Sequence, residues 1–262
     1  MSRPTLLGRQ LALTGFALVV PALLMLQHHP ATTSVDLAQR FLRPGQGHWF
    51  GTDELGRDLF LRTLAGAGYT AAIVLVSLAA ASTLGIGLGI AAGMSNRRLA
   101  RASLDQVVNI VWSVPGLVLF VASTTYFGRG FSVIAVTLSA AAWAPIARVV
   151  QAEVAREKGK DYVTALRGFG FGRRSVVCAV FANVLTPTYV VVVTVALDLV
   201  AAESALSFLG LGVQPPAPSL GGMVYSGLLY LSVGWWMLIV PLCTLLLLIR
   251  VLRNLLPRRR LA

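Results

Sequence analysis

Long apolar stretches separated by short polar or basic segments dominate the chain. Six runs, at 11–26, 69–94, 107–127, 131–150, 184–206 and 228–252, approach or exceed the roughly 20 apolar residues of a helical membrane span. The first is short and contains Pro21, and only Gly128-Arg129-Gly130 separates the third from the fourth. Lipid offers no water to unpaired backbone groups, so runs of this kind predict helices. The pattern predicts an all-α polytopic membrane protein with six transmembrane helices. It divides into an anchor helix with an external loop at 1–62 and a five-span core at 63–262.

Composition agrees with that class. Hydrophobic residues make up 56% and charged residues 12% of the chain, about half the charged share of a soluble domain. The net charge of +12 is distributed in a way that orients the spans. Arg3 and Arg9 precede the first run, and Arg97, Arg98 and Arg101 follow the second. Segment 151–183 carries Arg156, Lys158, Lys160, Arg167, Arg173 and Arg174, and Arg253, Arg258, Arg259 and Arg260 follow the last run. The alternate loops hold a lone Arg129, no charge from 207 to 227, and a balanced set between 27 and 62. Lys and Arg in short loops favour the cytoplasm, so both termini are expected inside. Positives dispersed around spans form no nucleic-acid footprint. Cys178, in the cytoplasmic loop, and Cys243, in the last span, are not expected to pair. The first run is followed by Gln27-His28-His29-Pro30 and not by a small-x-small cleavage site, which predicts an uncleaved anchor.

Several positions within this frame have candidate chemistry. Ala81, Gly85, Gly89 and Gly93 recur every four residues, a small-residue ridge that lets a second helix approach closely, with Gly87 off the ridge. Pro115, between Trp112 and Gly116, removes a backbone donor and predicts a bend. Asp198 falls near the centre of its run, where an ionised group is expensive and turns to a partner or an aqueous cavity. Thr194, Asp198, Ala201 and Ala205 share one face, a helix seam or a pore wall, and Glu203 lies nearer the external end. Thr194, Asp198 and Glu203 are the pathway or gate candidates. Thr52 or Asp53 can cap a helix carrying Leu55, Leu59 and Phe60. The acids Asp53, Glu54 and Asp58, with His48, lack a ligand spacing, which favours caps and salt bridges over a metal site. His28 and His29 read as interfacial side chains. There is no GxxxxGK[ST], HExxH or GxSxG pattern, so no bound cofactor and no ATP hydrolysis are expected of this chain alone.

Segment 151–183 is the longest charged stretch, yet it has an apolar face of its own. Tyr162, Ala165, Leu166 and Phe169 recur at helical spacing, and Gly168, Gly170 and Gly172 then break the helix. That face would be wasted in water and suits a groove on another protein.

Residues Asp161-Tyr162-Val163-Thr164-Ala165-Leu166-Arg167-Gly168-Phe169-Gly170 resemble the loop of ABC importer permeases that docks into the ATPase subunit. The family frame is Glu-Ala-Ala, three residues, then Gly; here it reads Thr164-Ala165-Leu166, three residues, Gly170, with Ala182 where the family often has proline. His48-Trp49-Phe50-Gly51-Thr52-Asp53-Glu54-Leu55-Gly56-Arg57-Asp58 is similar to the external signature of the dipeptide, oligopeptide and nickel subgroup. The stretch Ala202 to Pro216 is similar to that subgroup's late motif. The resemblance implies a binding-protein-dependent permease fold in a bacterial plasma membrane. It implies one of two related permeases in a heterodimer, with two ATPases that hold ATP and Mg and an external substrate-binding protein. It assigns Tyr162, Thr164, Ala165, Leu166, Phe169 and Gly170 to coupling, and Gly51, Thr52, Asp53, Glu54, Gly56, Arg57 and Asp58 to the external motif. Peptides are the implied cargo, with nickel or a metal chelate as the alternative. A self-sufficient secondary transporter or channel would employ Asp198 as an ion site but leaves the loop's apolar face unexplained, and a membrane enzyme lacks any motif.

Overall fold

The computed structural model describes residues 30–256 except Gln46 and Arg97. The run at 11–26 and the arginines at 3, 9 and 258–260 lie outside the described residues. Among those described, the chain is helical with no strand, and only two isolated bridges, Gly45 to His48 and Thr52 to Asp58. A helical turn, α1 (Pro30–Thr33), and a 3-10 turn (Leu37–Gln39) lead into α2 (Leu59–Met94). Then come α3 (Arg98–Ser113), α4 (Gly116–Phe127), α5 (Phe131–Lys158), α6 (Asp161–Gly168), α7 (Arg173–Phe208), α8 (Leu220–Leu229) and α9 (Trp236–Asn254). By length and composition α2, α5, α7 and α9 can each cross a membrane, and the pair α3–α4 makes a fifth crossing if counted as one span.

The helices depart from the apolar runs for identifiable reasons. α2 begins ten residues before its run, because the Asp58 carboxylate caps it by accepting from the Leu61 amide at 2.9 Å. The expected boundary at 62/63 therefore lies inside a helix. The run at 107–127 is not one straight span: α3 and α4 meet at 76° across Val114-Pro115, where Pro115 has no amide to donate and turns the preceding residue away from helical angles. Segment 151–183 is mostly helix. Gln151–Lys158 continues α5 with Val154 and Glu157 buried, and 173–183 opens α7 with Val176 and Val180 buried. These are amphipathic turns, so hydropathy alone reads them as loop; Cys178 accordingly sits on α7. The last run starts within α8, which is too short to span, and the crossing helix is α9.

The core is built on the contact between α2 and α5. A methyl group added at Gly85 would stand 2.7 Å from the Trp143 carbonyl oxygen, and at Gly89 2.8 Å from that of Ala147. One at Gly93 would meet Val154 Cβ at 2.8 Å and the Gln151 carbonyl at 2.9 Å. The partners Trp143, Ala147 and Gln151 are themselves four apart, so the four-residue ridges of the two helices interlock. Ser77 adds a hydrogen bond from its hydroxyl to the Ala135 carbonyl at 3.2 Å. α7 packs across both helices, and α8 and α9 pack against each other and against α7.

This contact generates a contrast. Gly89→Val drives a side chain into the Ala147 carbonyl and Val150 of α5 and should destabilise by about 1–3 kcal/mol or more. Gly87→Ala, with nothing within 4 Å, should be neutral or stabilising by up to about 1 kcal/mol. Thermal melting of the purified chain in detergent checks this; equal melting of the two variants would remove the ridge from the core.

Candidate functional site

Two regions gather the functional candidates, one at each end of the helices. At the end formed by the tips of α2 and α5, Lys158 donates from Nζ to the carbonyls of Met94 at 2.8 Å and Ser95 at 3.1 Å, and to Asn96 Oδ1 at 2.6 Å. A cation thus closes the C-terminus of α2, where unpaired carbonyls and the helix dipole favour it. Gly159 ends α5, and α6 follows across Lys160. Val163 is wholly buried in the main core and anchors α6. The Tyr162 hydroxyl donates to Glu157 at 3.3 Å and accepts from Asn183 at 3.2 Å, linking the end of α5 to α7. Lys160 pairs with Glu157 at 2.6 Å. α6 stops in a Schellman turn, with the Phe171 amide on the Leu166 carbonyl at 3.1 Å, the Gly170 amide on that of Arg167 at 3.0 Å, and Gly170 at φ 79°.

The expected apolar face of α6 is split. Tyr162 and Leu166 are half-buried and pack on the chain's own core, whereas Thr164, Ala165, Phe169 and Gly170 face outward, Phe169 at 81% exposure. Helical spacing groups these residues but does not say which edge of the stripe the rest of the chain covers. Val163, next to Tyr162, decides that, and its burial was not legible in the spacing.

On α7 the stripe Thr194, Asp198, Ala201 and Ala205 is exposed along its length. Thr194 bonds back to the Val190 carbonyl at 2.9 Å, and Asp198 has no partner among the described residues. Glu203 is not with them. It lies on the opposite face, 1% exposed, and accepts from Ser207 Oγ at 2.8 Å.

At the other end, the external motif folds into a compact lock. Asp53 Oδ1 accepts from the amides of Leu55 and Arg57, both at 2.9 Å, while Oδ2 accepts from Arg57 Nε at 2.7 Å and pairs with Arg62 Nε at 3.1 Å. Arg57 also reaches Glu54 at 3.1 Å, and Arg62 donates to the Thr32 carbonyl at 2.7 Å. Asp53, Arg57 and Arg62 are all buried. Asp58, besides capping α2, holds His48 Nδ1 at 2.8 Å, and His48 Nε2 meets Gln39 at 2.9 Å. Thr52 accepts from the Leu42 amide at 2.8 Å, and its carbonyl accepts from Trp236 Nε1 of α9 at 3.2 Å. Gly51 and Gly56 both have φ 77°, and a methyl group at Gly56 would overlap the Asp36 carbonyl. These acids make caps and ion pairs, and no group of three metal-ligating side chains forms among the described residues. Arg62 and Trp236 carry the lock into the bundle, although neither stands within the recognised motif. A cavity of about 320 Å³ lies between this lock and the α7–α8 region, lined by Asp53, Arg57 and Arg62 of the lock, Gln214 of the loop after α7, and Tyr225 and Ser226 of α8.

Comparison with known proteins adds a family. The model of the binding-protein-dependent transport system inner membrane component family matches residues 85–261. The dipeptide transport system permease protein of Bacillus subtilis is 34% identical over 210 residues, 78% of this chain and 64% of that protein. The chain thus spans just under two thirds of that relative. The di/tripeptide transport system permease protein of Pseudomonas aeruginosa is 36% identical, covering 79% and 69% of the two chains. The probable D,D-dipeptide transport system permease protein of Escherichia coli is 32% identical, covering 92% and 82%. Among solved structures, the inward-facing MetNI methionine ABC transporter has a similar fold, with a TM-score of 0.61 and 21% identity over 75% of this chain and 93% of that one.

The lock yields its own test. Asp53→Ala leaves the buried Arg62 without a carboxylate and Arg57 with Glu54 alone, and should cost about 3–5 kcal/mol. Asp53→Asn, which keeps an acceptor for the amides, should cost less. Melting temperature and the steady-state level in membranes read the order; an Asp53→Ala chain as stable as the wild type would contradict it.

Proposed function

We propose a function for this chain from one premise: it belongs to the binding-protein-dependent transport system inner membrane component family. In this reading it is a multi-pass permease subunit of an ATP-driven ABC importer for short peptides, and it forms half of the translocation pathway. The peptide cargo rests on the names of the relatives, which transport dipeptides, di/tripeptides and D,D-dipeptides. The chain works with a related permease, an external substrate-binding protein and two ATPases that hold ATP and Mg. Positive-inside charge puts the tips of α2, α5 and α6 in the cytoplasm.

One observation carries the reading. α6 presents Phe169 to solvent while Val163 fastens its other side to the core. A helix anchored inward and apolar outward is suited to transmit a push from a second protein. Tyr162 joins that helix to Glu157 on α5 and Asn183 on α7, and the glycine ridge joins α5 to α2. Movement of the ATPases would therefore reach three spans together. α7 carries the exposed Thr194–Asp198 stripe, which would line the pathway opposite the partner permease. Glu203, buried on the other face, would stabilise the packing and not line the pathway. No bond is made or broken by this chain; hydrolysis takes place in the ATPases.

The experiment measures ATPase copurification and peptide uptake at matched permease levels. Burial of a large apolar side chain contributes about 1.5–3 kcal/mol, so Phe169→Ala should weaken docking roughly tenfold or more. Thr164→Glu, beside that contact, should be tolerated. Asp198→Asn should keep the ATPase bound and change uptake. Full ATPase retention and normal uptake in Phe169→Ala would refute the docking role, and reduced assembly in Asp198→Asn would reassign Asp198 to packing.

A further inference from the structure

Two cavities meet at the cytoplasmic tips of the helices, and their walls differ in a way that fits a single amphiphile. The first, of about 680 Å³, lies between the end of α2 and the α6–α7 link and is lined by Met94, Asn96, Arg167, Phe171 and Arg173 with Ser95. The second, of about 410 Å³, runs between α2, α3 and α5 along Leu88, Ala91, Ala92, Leu104, Val107 and Trp143. Ser95 and Arg173 belong to both, so a polar, basic mouth opens into an apolar crevice.

The charges at the mouth are uncompensated. The ion pairs among the described residues take up Glu153 and Glu157 but leave Arg167 and Arg173 with no carboxylate and no hydrogen-bond partner. Lys158 nearby is occupied by carbonyls of the α2 terminus, and Arg101 reaches the Ser95 carbonyl through Nη2. Two exposed guanidinium groups facing a common space suit a phosphate, to which arginine offers several donors at once. The level is that of lipid headgroups: Met94 ends an apolar run of α2, and Arg98 and Arg101 follow. Leu88 and Val107 leave the crevice open to the surroundings of the bundle.

We propose that the two cavities form one site for an anionic phospholipid of the cytoplasmic leaflet, its phosphate between Arg167 and Arg173 and an acyl chain along the α2–α3–α5 crevice. The proposal rests on the orientation given above. Arg167 ends α6 and Arg173 begins α7, so one phosphate held by both would brace the docking helix across the Gly168–Gly172 link. The lipid would tune how firmly a push on α6 reaches α7.

The test uses the full chain in detergent, without ATPase or peptide, so its outcome is independent of transport. Binding of phosphatidylglycerol, of phosphatidylcholine and of inorganic phosphate is measured by native mass spectrometry. Phosphatidylglycerol should bind at one site per chain, well above phosphatidylcholine, and phosphate should not displace it. Arg167→Gln with Arg173→Gln removes two interfacial cations and should weaken that binding roughly 30-fold; both side chains are exposed, so the melting temperature should not move. Phosphatidylglycerol with brominated acyl chains should quench fluorescence in the wild type more than in Trp143→Phe, which also tests the crevice if the double variant misfolds. Equal binding of the two lipids, displacement by phosphate alone, or quenching independent of Trp143 would overturn the proposal. Loss of the bound lipid on adding the ATPase would assign the space to that partner instead and would equally overturn it.

Discussion

Close approach of two backbones, α2 and α5, is the constraint on which the other features depend. With glycine at 85, 89 and 93, the carbonyls of α5 come within the distance that a side chain on α2 would occupy. In lipid the hydrophobic effect gives no drive to helix association, so packing of this kind and inter-helical hydrogen bonds must hold the bundle. The same contact places the end of α2 where Lys158 can cap it. It thereby fixes the point from which α6 departs. α6 is positioned by the packing of the long helices, not by the loop that contains it.

The opposite end of α2 is held by charge. Asp53, Arg57 and Arg62 form a buried group that fixes the external motif against the first turns of the helix, and Trp236 ties that motif to α9. A buried ion pair adds little net stability over an apolar equivalent, but it tolerates the loss of neither partner. Such a lock fixes the shape of the motif at this end of the bundle. α7 runs the length of the bundle between the two ends, with its Thr194–Asp198 stripe on the open side and Glu203 on the packed side.

Much of this architecture was legible in the sequence, because the transfer of apolar residues into lipid is a large and local effect. The runs at 69–94, 131–150 and 184–206 each lie within a helix, and the glycine ridge meets α5 as its spacing predicts. Legibility failed where helices continue past their apolar runs. At 151–158 and 173–183 the pattern is amphipathic, so hydropathy ends before the helix does. It failed again on α6, since a stripe of Tyr162, Leu166 and Phe169 can turn either edge inward, and burial of Val163 settles which. Glu203 and Asp198 are both acids in an apolar helix; only the packing of α7 separates an exposed one from a buried one. Lys158 reads as an orienting charge and Arg62 as one of a balanced set, and their partners, the Met94 and Thr32 carbonyls, are distant in sequence.

The central claim is that the outward side of α6 contacts an ATPase in the cytoplasm. Site-specific photocrosslinking in intact cells tests it most directly, with the probe at Phe169 in one chain and at the exposed Gln214, in the loop after α7, in another. The account predicts a crosslink to a nucleotide-binding subunit from position 169 and none from position 214. No crosslink from 169, or an equal one from 214, would contradict it.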